Sequence, residues 1–98
     1  MTDENSAIEV RHNPAANRFE AIVDGLLCST DYYLDGDVMR MHHTGVPPAL
    51  EGRGIASRLV RAAFAYADAN GLRIEPRCSY VAAYVRRHPE TQRLLAAG

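Results

Sequence analysis

Apolar and polar residues alternate twice near the start of the chain. Ile8 and Val10 alternate with Glu9 and Arg11, and after an Asn13-Pro14 break Phe19, Ala21 and Val23 alternate with Arg18, Glu20 and Ile22. A period of two puts one face of an extended chain on a core and the other in water, so both segments are predicted as strands. Asp24-Gly25 and Asp35-Gly36 suit the left-handed angles of tight hairpin turns, and they bracket a third strand from Leu26 to Leu34. A fourth is predicted over Val38–Thr44, with Met39, Met41 and His43 on one face and Val38, Arg40, His42 and Thr44 on the other. Pro47 and Pro48 end it, because proline cannot donate to a ladder.

From Arg53 onward the period lengthens. Ile55, Leu59, Ala63 and Tyr66 fall on one stripe, with Arg53, Ser57, Arg61 and Asp68 opposite, as in an amphipathic helix. Asn70-Gly71 supplies its C-terminal stop. A fifth strand, Leu72 to Pro76, is followed by a second helix, Ser79 to Arg87, that buries Tyr80, Val81, Tyr84 and Val85 until Pro89 intervenes. A short helix over Glu90 to Leu95 closes the chain. The predicted class is α+β: a four-stranded antiparallel meander, a helix, a fifth strand and a helix. No internal repeat or low-complexity tract interrupts it.

Composition narrows this to one soluble domain spanning residues 1–98. A chain of 98 residues with 47% hydrophobic and 23% charged residues is neither disordered nor fibrous. No run approaches the roughly 20 apolar residues of a membrane helix, and Met1 to Ser6 is polar and acidic, unlike a signal peptide; a cytoplasmic protein is expected. Cys28 and Cys78 are too few for a disulfide framework and are read as free thiols. The net charge of −1 conceals a polarity: residues 1–50 carry eight acids and three arginines, residues 51–98 four acids and eight arginines. The second half suits a small anion. It lacks the clustered basic stripe of a nucleic-acid binder. The exposed edge of the meander would suit either a monomer or a homodimer.

Three groups of residues carry candidate chemistry. Gly52 and Gly54 sit where a strand gives way to a helix, and glycine there lets backbone amides and the helix dipole approach a phosphate. The alternative at that point is a tight connection with no ligand. Cys78 follows a strand and opens a helix beside Arg77, a setting that lowers a thiol pKa, whereas the bland reading is a small buried hydrophobe. Cys28, inside a strand, is read as structural. His42 and His43 are neighbours on a strand and are expected to point to opposite faces, so they do not share a metal; no metal site is expected. His43 is a candidate base or substrate contact, or a hydrogen-bonded strand-end histidine. Tyr80 and Tyr84, one helical turn apart, read first as core, with a phenol at Tyr80 a candidate acid. Arg86, Arg87 and His88 form a basic helix end.

The blocks His43-Thr44-Gly45-Val46-Pro47, Gly52-Arg53-Gly54-Ile55-Ala56 and Cys78-Ser79-Tyr80-Val81 resemble, in that order and spacing, the small single-domain GCN5-related N-acetyltransferases. The resemblance spans about Arg18 to Pro89. It implies a minimal version of that fold and an acetyl group moved from acetyl-CoA to an amine acceptor. It implies that Val46, Gly52, Arg53, Gly54, Ile55, Ala56 and Ser57 bind the cofactor, the loop holding its pyrophosphate through main-chain amides, and that the Cys-x-Tyr block carries a reactive cysteine. Cys78, His43 and Tyr80 are the catalytic candidates. Two positions depart from the pattern: Glu51, where relatives open the loop with Gln or Arg, and Gly45, where some have Glu. A non-catalytic acyl-CoA-binding module and a protein-interaction domain are the alternative readings.

Overall fold

A computed structural model describes residues 8–97; the polar start read against a signal peptide lies outside them. Five strands form one sheet in sequence order: β1 (Arg11–Asn13), β2 (Arg18–Val23), β3 (Leu26–Asp35), β4 (Val38–Gly45) and β5 (Arg73–Pro76). Neighbours β1 to β4 are antiparallel, and β5 lies parallel to β4 after the crossover through α1 (Ile55–Ala69). The second helix, α2, is Ser79–Arg87, as the spacing predicts, and the closing helix is a 3₁₀ segment, Pro89–Leu94. Among the described residues, no helix is long and apolar enough to cross a membrane.

Strand one is displaced from its expected position. Ile8 is buried and Glu9 exposed, as the alternation requires, yet pairing with β2 begins at Arg11. Alternation reports which side chains reach the core, and an extended segment can bury Ile8 without backbone pairing. The break that follows is a 3₁₀ turn, Pro14–Ala16, in which the Asn13 side chain accepts the Ala16 amide and Asn17 takes a left-handed conformation.

Both helices lie on one face of the sheet. Phe19, Tyr32, Met39, Met41 and Ile74 meet Val60, Ala63, Phe64 and Ala67 of α1 and Val81, Tyr84 and Val85 of α2. Phe64 and Tyr84 join the helices edge to face, with centroids 5.4 Å apart. Next to the loop that opens α1, Ala21, Cys28, Leu50, Ile55 and Leu59 form a second cluster. Tyr66, expected on the buried stripe, is only partly buried; Val60, Phe64 and Ala67 complete the stripe instead. The stop at Asn70-Gly71 is a Schellman turn: Gly71 takes φ +68° and the Leu72 amide reaches back to the Ala67 carbonyl.

The opposite face is open and mostly polar. Arg40 pairs there with both Asp35 and Glu75, and Arg18 with Glu20. Surface pairs of this kind, partly solvated, add little, about 1 kcal/mol each, so the helix-covered face holds the fold.

At the β1 edge His12 stacks on Phe19, with centroids 4.2 Å and planes 6° apart, and its Nε2 lies 2.6 Å from the Tyr32 hydroxyl. Burial favours the neutral ring and holds the His12 pKa below its ordinary value of 6.5. The unfolded chain therefore binds the proton more readily. His12 contributes its full stability above about pH 6.5, and this contribution is lost as pH falls toward the lower folded pKa. Denaturation curves at pH 7.5 and 5.0 are expected to show a larger loss for the parent than for His12→Phe, which keeps the stack and cannot titrate. Equal losses would exclude His12 as the source.

Candidate functional site

β4 and β5 pair only as far as Met41 and Pro76. Pro76 has no amide to continue the ladder. The next two amides, Arg77 and Cys78, both bond to the Met41 carbonyl at 2.9 and 3.0 Å as the chain turns into α2. Beyond Met41 the two strands part.

On its other edge β4 is irregular at the same level. Met41 pairs with Tyr32 and His43 with Asp31, so His42 is an extra residue opposite a continuous β3. The bulge resets the alternation and corrects two expectations. Thr44 pairs with Thr30, which is fully buried, and shares its hydroxyl at 2.9 Å, so Thr44 belongs with Met39 and Met41 on the helix-covered face. His43 leaves that face. His42 stays on the open side, its ring 5.7 Å from that of Tyr33, and His43 stands opposite Asp31 on the same side. The two histidines therefore share a face. Among the described residues no group of three or more His, Cys, Asp and Glu is placed to hold a metal ion.

Where β4 parts from β5, a cleft of about 430 Å³ opens on the helix side, lined by Thr44, Val46, Leu50, Glu51, Gly52, Gly54, Ile55, Ala56 and Tyr80. Its floor is the loop that opens α1. Gly52 and Gly54 both have left-handed φ, +82° and +76°, a region where any other residue would be strained. Gly54 is the helix N-cap, no side chain caps the first turn, and that turn holds no acidic residue. The first α-helical bond recorded there runs from the Arg58 amide to the Gly54 carbonyl. The amides of Ile55, Ala56 and Ser57 come before it, at the positive end of the helix dipole. Backbone donors, glycines and a positive dipole in one concavity make an anion site.

Five of the seven expected cofactor residues, Val46, Gly52, Gly54, Ile55 and Ala56, meet in this cleft. Arg53 and Ser57 are not among the lining residues, and the Arg53 guanidinium reaches the β2–β3 turn, donating to Asp24 at 2.9 Å. Glu51 lines the cleft and is exposed. Leu50 and Thr44 also line it; both were missed because burial in one and a bulge in the other put them there.

The catalytic candidates separate. Tyr80, expected in the core, is partly buried and forms part of the cleft wall. Cys78 is the N-cap of α2, partly exposed, and its thiol donates to the Thr44 hydroxyl at 3.7 Å. The Arg77 guanidinium turns to Glu75 at 2.8 Å and the Tyr33 hydroxyl at 2.6 Å. Cys28 is wholly buried, and burial pushes its thiol pKa up, consistent with a structural residue. His43 lies on the open face, its Nε2 only 2.9 Å from where a Cβ on Gly45 would stand. Gly45 thus leaves room for the His43 ring. At the far end of α2, His88 stacks on Tyr84 at 4.2 Å, while Arg86 and Arg87 are exposed.

A glycine loop, an uncapped helix end and two parted strands together build an anion-suited cleft on an α+β sheet, and comparison with known proteins gives the class. Residues 18–94 match the GCN5-related N-acetyltransferase family model, and the chain belongs to that family. The fold agrees: the solution structure of a GCN5-like protein from Staphylococcus aureus superposes with a TM-score of 0.73 at 25% identity, covering 95% of this chain and 92% of that one. Similar curated proteins include Protein NATD1 of Xenopus tropicalis, 32% identical over 94% of this chain and 87% of its own length. Protein NATD1 of Mus musculus is 30% identical over 94% of this chain and 86% of its own length.

Proposed function

We propose that this chain binds acetyl-CoA with its pyrophosphate on the loop from Glu51 to Ala56 and transfers the acetyl group to an amine. The observation that carries this reading is the coincidence of the anion site and the parted strands: the cleft from Gly52 and Gly54 runs to Thr44, where β4 leaves β5. A pantetheine arm entering there finds β4 backbone unpaired on its β5 side. Amides of β4 beyond Met41 are suited to receive the developing oxyanion. The amine approaches from the open face, loses its proton to His43 and attacks the thioester carbonyl. The C–S bond breaks, and the departing CoA thiolate takes a proton from Tyr80 or water.

We favour direct attack over an acetylated Cys78. The recorded side-chain contact of the Cys78 thiol is to the Thr44 hydroxyl, which is itself shared with Thr30, and Arg77 points elsewhere. Labelled acetyl-CoA tests this. Cys78→Ala is expected to keep turnover within about tenfold of the parent, the scale of a lost positioning contact, and the parent to carry no label on Cys78. An acetyl-Cys78 that discharges to amine, with no turnover in Cys78→Ala, would establish the covalent route. Calorimetry with CoA separates the broader readings: binding without acetylation of any amine would make the chain an acyl-CoA module, and absence of binding would remove both.

A further inference from the structure

The loop that floors the cleft is anchored from outside it. Its two ends are held in the core, where Leu50 and Ile55 are buried with Ala21, Val23 and Cys28 of the β2–β3 hairpin. Glu51, Gly52, Arg53 and Gly54 are left to span the interval between those ends. Apart from its chain neighbours, no heavy atom lies within 4 Å of where a Cβ on Gly52 would stand, and Glu51 is exposed. Arg53 is different. Its side chain is 23% exposed, and its Nη1 donates to Oδ2 of Asp24 at 2.9 Å.

Asp24 is a firm post for that contact. Strands β2 and β3 stay paired up to Val23 and Leu26, so Asp24 and Gly25 alone make the turn. Their φ angles, +51° and +77°, are those of the tight two-residue hairpin whose twist matches its strands. Gly52 and Gly54 line the cleft and Arg53 does not. The tie to Asp24 thus draws the arginine away from the ligand space while the glycines on either side of it face that space.

We infer that Asp24 is a positioning residue for the cofactor site: through Arg53 it holds the glycine loop in its anion-accepting shape before any ligand arrives. The carboxylate touches neither cofactor nor acceptor in this role. Its contribution is pre-organisation, because a loop with two glycines has wide conformational freedom, and ordering it on binding costs affinity. The inference rests on the acetyl-CoA reading for the identity of the anion, but not for the tether itself. The sign of the effect is diagnostic. A carboxylate near an anion site repels the anion, and an arginine released from Asp24 is free to turn to the phosphates, so either effect by itself makes removal of the Asp24 charge tighten CoA binding. Loss of the tether weakens it.

The test uses Asp24→Asn in the full chain, because asparagine accepts the left-handed turn conformation as aspartate does and only the charge is lost. Calorimetry is expected to show CoA binding weakened roughly 3- to 5-fold, the scale of one partly exposed ion pair. In acetylation assays KM for acetyl-CoA rises by a similar factor, with kcat within about twofold of the parent. Backbone amide relaxation by NMR, without ligand, is expected to show Gly52 and Gly54 more mobile in the variant. Arg53→Gln also weakens CoA binding, and in that background Asp24→Asn weakens it no further, as a pair acting as one unit requires. CoA affinity in Asp24→Asn equal to or tighter than the parent's, additive losses in the double variant, or loop amides as rigid as before would overturn the assignment. A parent that fails to bind CoA would overturn the acetyl-CoA reading, while the relaxation data would still decide the tether.

Discussion

Ala56→Asp is expected to abolish acetyl-CoA binding while leaving the fold as stable as the parent or slightly more so. Ala56 is the second residue of α1, lines the cleft, and follows an N-cap that provides no side-chain hydrogen bond. A carboxylate in the first turn of an otherwise uncapped helix interacts favourably with the dipole, by about 0.3–1 kcal/mol. The same carboxylate stands where the pyrophosphate would sit. Two unit charges about 4 Å apart near a protein surface repel by roughly 4 kcal/mol, which is on the order of a thousandfold in affinity. The opposite signs of the two effects make the test decisive: calorimetry with CoA should show no binding, and thermal unfolding no loss. Retained CoA affinity would show that the ligand phosphates do not lie at this helix end. Ala56→Ser, uncharged and of similar size, should bind CoA nearly as the parent does.

The second large effect concerns Met41. Its side chain is fully buried between the sheet and both helices, and its carbonyl holds the Arg77 and Cys78 amides at the point where the strands separate. Met41→Ala removes buried methylene and thioether groups and leaves a cavity that the neighbours cannot fully close, a loss of about 2–5 kcal/mol. For a domain of this size each kcal/mol lowers Tm by roughly 4–8 °C, so a fall on the order of 10 °C or more is expected. Met41→Leu conserves volume and should cost less than about 1.5 kcal/mol. A Met41→Ala variant with parental Tm would mean that the packing around β4 is not what supports the fold.

Much of this architecture is written in local patterns. The alternation of Phe19, Ala21 and Val23 reports strand β2, and all three side chains are buried. The bounds of α2 follow from the strand that precedes Ser79 and the proline at position 89. Glycines at 52 and 54 mark a backbone that must take positive φ, and both do. These readings succeed because each depends on residues within a few positions of one another. The displacement of β1 shows the limit of the same logic. The burial of Ile8 is a local pattern, but whether its backbone pairs with β2 is not.

The open-face chemistry was illegible for the same reason. The faces taken by His42, His43 and Thr44 depend on one extra residue in β4, and a bulge is a property of two strands in register. Neither strand alone contains it. Arg53, adjacent to the loop glycines, was expected at the ligand, whereas the fold brings Asp24 within 2.9 Å of its guanidinium.

By itself the sequence determined the element order, the positive-φ loop at the start of α1 and the face that each regular helix buries, because period, glycine conformation and capping act over one turn or one strand. Tertiary structure alone decided that Thr44 and Tyr80 wall one cleft with that loop and that both histidines share the open face. Those outcomes depend on register and strand separation between segments tens of residues apart.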